Sequence, residues 1–163
     1  MKKIILFTLL LGLSISPVLS QQIKDVTHNF IKHYENRDFE KMFSLFSTDA
    51  EFQDPTTVVF GMSGDPMKGR DQIKEYFTKN MGDDFVKVKI DIIRESYVGN
   101  LAILNLNFKS DIKAKYFGSN KEGLISIDIP MTTILKFNSD NEIVSHIDYA
   151  DYTKYMKQVN DQK

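Results

Sequence analysis

The 163-residue sequence has no cysteine, no tryptophan and only four prolines. Without cysteine there is no disulfide, no thiolate nucleophile and no zinc–thiolate site. No basic run is present, and 21 Lys and Arg stand against 22 Asp and Glu. That balance argues against nucleic-acid binding, which depends on neutralising phosphates. Gly-x-Ser-x-Gly, a phosphate loop and a dinucleotide fingerprint are all missing, which removes the commonest hydrolase, kinase and dehydrogenase readings and leaves no cofactor to expect. His28 and His33 are five apart, on different faces of a helix, so no metal site is expected either.

The first twenty residues carry Lys2 and Lys3, an apolar stretch from Ile4 to Leu11, and small residues after Pro17. This pattern predicts a signal peptide over 1–20, because the apolar part is far short of the roughly 20 residues that span a bilayer. Val18 and Ser20 suit the −3 and −1 positions of a cleavage site, giving a domain over 21–163 and a periplasmic or secreted location. An uncleaved anchor is the alternative. Without Lys2 and Lys3 the mature chain carries a net charge of about −3. Held without disulfides, it must rely on its core, and eleven of the twelve Phe and all seven Tyr supply one.

Ile23, Val26, Phe30, Ile31 and Tyr34 recur at helical spacing, and Asp38 is a good N-cap for a second helix with Phe39, Met42, Phe43 and Phe46 inward. Ala50–Asp54 reads as a strand ended by Pro55, and 56–68 as an irregular loop of the kind that covers a site. A third helix runs from Arg70 to Met81, stopped by Gly82. The period then changes to two. Val86, Val88, Ile90 and Ile92 alternate with charged residues, Leu101–Lys109 follows, Gly118-Ser119-Asn120 marks a turn, and Leu124–Phe137 is a long strand bent at Pro130. Glu142–Tyr149 is the last strand and Tyr152–Val159 a terminal helix with Asp151 as its N-cap. The order predicts an α+β domain: a curved, mostly antiparallel sheet with about three N-terminal helices on its concave face.

The segments RDFEKMFSLFSTDAEFQDP from Arg37, KGRDQIKEYF from Lys68 and EIVSHIDYADYTKYM near the end resemble the SnoaL-like branch of the nuclear-transport-factor-2-like superfamily. The resemblance spans nearly the whole mature chain. It implies a cone with a deep apolar pocket, often a homodimer through the sheet, in members that are isomerases, cyclases, hydrolases or non-catalytic binding modules.

Asp54 resembles the proton-abstracting Asp of ketosteroid isomerase, a relative with the same helix–strand–Asp-Pro order; its alternative role is to cap the turn at Pro55. That enzyme's oxyanion-hole Tyr and acid fall on Phe30 and near Thr133, so steroid isomerisation is not assigned. Asp148 resembles the pocket-facing Asp at the end of the last strand in limonene-epoxide-hydrolase-like members, with His146 on the same face. The hydrolase's Arg-x-Asp corresponds to Asn105-Leu106-Asn107, which has lost both charges. The alternative for Asn105, Asn107, His146 and Asp148 is a structural network paired across strands. Tyr34, Phe60 and Tyr76 are candidates for the pocket wall or ordinary core, as are Met62 and Phe77.

These readings lead to a pocket protein that binds a small, largely apolar molecule with Asp54 and Asp148 as polar anchors. The alternatives are a proton-transfer enzyme using either carboxylate as base, or a dimeric interaction module. A homodimer through the sheet's outer face is expected, with Leu101, Ile103, Met131 and Leu135 among its residues.

Overall fold

The computed structural model describes residues 16–119 and 122–163, with side chains from Ser20 onward. The apolar stretch and lysines of the expected signal peptide, and Asn120 of the expected turn, lie outside the described residues. No described helix is long and apolar enough to cross a membrane.

Helix α1, Ser16–Glu35, lays Ile23, Phe30, Ile31 and Tyr34 against the sheet, and the chain leaves it through Arg37 in the left-handed conformation at φ 54°. Helix α2, Phe39–Phe43, is capped by Asp38, whose side chain accepts from the Lys41 amide. It is one turn long, because Phe46 already begins strand β1, Phe46–Gln53. Asp54 and Pro55 end β1, and Pro55–Phe60 winds into a 3-10 turn inside the segment expected to be irregular. Strand β2, Met67–Lys68, pairs with β1, and helix α3, Arg70–Asn80, follows.

Strands β3 (Phe85–Val98), β4 (Leu101–Lys113), β5 (Leu124–Phe137) and β6 (Ile143–Ala150) complete a six-stranded sheet ordered β2-β1-β6-β5-β4-β3, and α4, Tyr152–Gln162, closes the chain. Every pairing is antiparallel except β1 with β6. The sheet is curved and unclosed, with helices in its hollow, which is the α+β architecture the sequence predicts.

The strand faces correct two expectations. A register shift between Phe85 and Lys87 puts Val86 out of phase, so it is exposed while Phe85, Val88 and Ile90 are buried. On β5, Ile125, Ile127, Ile129, Thr133, Leu135 and Phe137 are buried on the inner face. Leu135 is therefore core and Met131, on the same face, lines the cavity, so neither belongs to the outer face assigned to a dimer. Leu101 and Ile103 do lie outward, since the alternating Ala102 and Leu104 are fully buried.

Candidate functional site

A cavity of about 400 Å³ opens between the concave face of the sheet, α3, α4 and the 3-10 turn after β1. Its deep wall is made by buried Tyr34, Phe52, Phe77, Phe85 and Phe108. Phe60, Met62, Tyr116 and Met156 are exposed around its mouth. Alternation on β1 aims Phe52 and Asp54 the same way, while helical spacing on α4 brings Tyr152, Tyr155 and Met156 to one side.

Asp54 and Asp148 both line this cavity and are both almost fully buried. They are brought together by the parallel pairing of β1 with β6, which sets Gln53 beside Ile147 one residue before each acid. Asp54 Oδ1 accepts from the Thr56 amide at 3.0 Å and from the Thr56 hydroxyl, and Oδ2 accepts from the Tyr152 hydroxyl at 2.6 Å. It is thus both the cap of the 3-10 turn and a cavity carboxylate; the two sequence readings are compatible. Burial pushes its pKa up, partly opposed by the bonds from Thr56 and Tyr152, while the negative charge of Asp148 adds to the rise.

Asp148 Oδ1 accepts from the buried Thr133 hydroxyl at 2.6 Å. His146 Nε2 lies 3.0 Å from the same oxygen, but the ring is not aligned for a hydrogen bond, and neither of its nitrogens has one. His146 is fully buried among Phe30, Phe52 and Phe77, with the Phe52 centroid at 5.0 Å and Phe30 at 5.2 Å. It stands behind Asp148 and outside the cavity wall, which corrects its expected place as a ligand contact.

Asn105 and Asn107 are also displaced from the site. Leu104, Leu106 and Phe108 take the inner face of β4, so both asparagines face outward, and Asn105 Oδ1 accepts from Thr132 at 3.0 Å. The cross-strand network expected of the four polar residues therefore divides: Asn105 bonds on the outer face, while His146 and Asp148 lie inside.

Tyr34, Phe60 and Tyr76, read as pocket wall or ordinary core, line the cavity. The Tyr34 hydroxyl has no hydrogen bond among the described residues, and burial, then the charges of Asp148, Tyr76 and Asp54, holds it protonated far above neutral pH. Phe30, where the isomerase's Tyr falls, is buried against His146; one turn later Tyr34 brings a hydroxyl to the cavity instead. Sequence reasoning missed Tyr152 and Tyr155. The signal was present: Tyr152, Tyr155, Met156 and Val159 recur at helical spacing after the Asp151 cap, whose side chain accepts from the Lys154 amide.

The SnoaL-like domain family matches residues 27–146, most of the described fold. The chain belongs to the SnoaL-like family. Among curated proteins none matches it. A structure from Shewanella denitrificans, provisionally described as a SnoaL-like polyketide cyclase, superposes at TM-score 0.74 with 19% identity, over 85% of this chain and 97% of that one. A protein with a ketosteroid isomerase-like fold from Catenulispora acidiphila, solved in complex with trimethylamine, gives 0.66 at 19% identity over 83% and 92%. An LEH-like epoxide hydrolase from M. tuberculosis gives 0.66 at 12% over 86% and 90%. At these identities the likeness establishes the cone of this SnoaL-like chain and not its chemistry.

Proposed function

We propose that this SnoaL-like protein binds a small, largely apolar molecule in its cone, with Asp54 and Asp148 as the polar anchors. The observation that carries the reading is the cavity of about 400 Å³, walled mainly by Phe, Tyr and Met, in which both buried carboxylates stand. The test is displacement of the neutral fluorescent dye Nile red, first from the wild type and then from Phe52→Ala and Phe108→Ala. Binding that falls at least tenfold in either variant supports the cone as the site; undiminished binding in both refutes it.

Proton transfer at the same site is the second reading. It is favoured by the upward-shifted pKa of Asp54 and the unbonded Tyr34 hydroxyl, a base and a donor in one cavity.

The domain is also proposed to act after export, through cleavage between Ser20 and Gln21, and mass spectrometry of the exported chain tests this. A homodimer through the outer face is proposed with a revised residue set. Registers align Ile103 with Ile134 and Ile134 with Ile147, forming an apolar row across β4, β5 and β6.

A further inference from the structure

We infer that the ligand of this cone is an organic cation, a substituted ammonium group carried on an apolar body. The inference rests on the small-molecule reading and names the charge that the site selects. Among the described residues lining the cavity there is no Lys, Arg or His, yet two acids are there. His146, the nearest imidazole, is shut behind Asp148, so even a protonated His146 would leave Asp54 without a cationic partner. Lys163 Nζ stands 5.8 Å from the Phe117 ring, but Lys163 is not part of the cavity wall.

Three features converge on a cation. Ring faces attract positive charge, and a desolvated cage of them holds quaternary ammonium groups well. Burial, and then the charge of Asp148, raises the cost of ionising Asp54 in this poorly solvated space, a cost that an entering cation relieves and an anion increases. Tyr34 stands on the same wall, its hydroxyl able to accept from an ammonium N–H or to orient toward a carboxylate. A neutral apolar ligand would fill the volume and bring no counter-charge to Asp54. A capacity of about 400 Å³ suits a body of one or two rings.

The experiment compares 2-phenylethyl-trimethylammonium with its neutral carbon isostere, (3,3-dimethylbutyl)benzene, as competitors of Nile red on the full folded chain. The two have nearly the same shape, so their ratio isolates the charge. The expected result is displacement by the cation at a concentration at least tenfold lower. That preference should fall toward one in Asp54→Asn/Asp148→Asn, with circular dichroism confirming the fold. The wild-type ratio stands as a test even if the double variant does not fold, and Asp54→Asn alone then serves as the second variant, expected to lower the preference severalfold. Equal or better displacement by the isostere overturns the cation and leaves the small-molecule reading intact. A cation preference that survives loss of both carboxylates also overturns it. Failure of the dye and both competitors to bind removes the small-molecule reading together with the inference.

Discussion

Asp54 has a raised pKa, so the folded protein holds that proton more tightly than the unfolded chain does. Its contribution to stability is present below the ordinary value of 3.8 and is lost as pH rises through the raised folded value. Asp54→Asn should therefore gain stability relative to wild type as pH increases from 3.5 to 7, measured by urea denaturation; a flat or inverted difference would show that the hydrogen bonds from Thr56 and Tyr152 outweigh burial. At Asp148 the hydroxyl of Thr133 is the bonded partner. Thr133→Val leaves a buried acceptor short of its donor and should cost about 1–3 kcal/mol, whereas Asp148→Asn retains an acceptor and should cost less; the same titrations compare them. Both acids were legible in the sequence because each stands at the end of a strand in a segment that resembles the family. The outward placement of Asn105 and Asn107 was not. Whether a polar residue on a strand faces the cavity depends on register, which a single sequence leaves open for strands apolar on both faces. His146 was read on the correct face, but its enclosure by Phe30, Phe52 and Phe77, away from the cavity wall, depends on packing between distant segments.

Helix α4 shows how one element holds both the site and the sheet. The pairing of β5 with β6 reaches only from Met131 to Phe137, which leaves the first half of β5 with a free edge. Gln158 bonds both the amide and carbonyl of Asp128, at 2.8 and 2.9 Å, and Gln162 does the same at Ser126, at 2.9 and 2.8 Å. Two side-chain amides at i and i+4 thus replace the missing strand and cover the edge, while Tyr152 and Tyr155 close the cavity. Gln158→Ala with Gln162→Ala should speed hydrogen exchange at Ser126 and Asp128 and leave the β4–β5 amides slow; unchanged exchange would show that packing of Val159 alone holds the helix. The helix and its cap were readable from spacing, as were α1, α3 and the long strands. The second helix was overextended because Phe46 fits an apolar helical stripe as well as the first position of a strand, and only its pairing with Ile143 decides.

At the scale of the whole molecule, the cone encloses its cavity on the concave side and presents the Ile103–Ile134–Ile147 row on the other. Ile134 is central in that row, so Ile134→Glu should convert a dimer to a monomer in light scattering while circular dichroism stays native; a wild type that is monomeric at micromolar concentration rejects the dimer. Architecture was the most legible level, since the change from helical to alternating periodicity after Gly82 and the family-like segments constrain the same fold. The central claim is that the cone is a ligand site, and methionine methyl NMR tests it most directly. Met62, Met81, Met131 and Met156 line the cavity, whereas Met42 is buried in the core and Met67 lies on the edge strand. With Nile red added, the four cavity methyls should shift together while Met42 and Met67 stay in place. Shifts confined to Met67, or no shift at Met81 and Met131 while the dye is bound, would contradict the account.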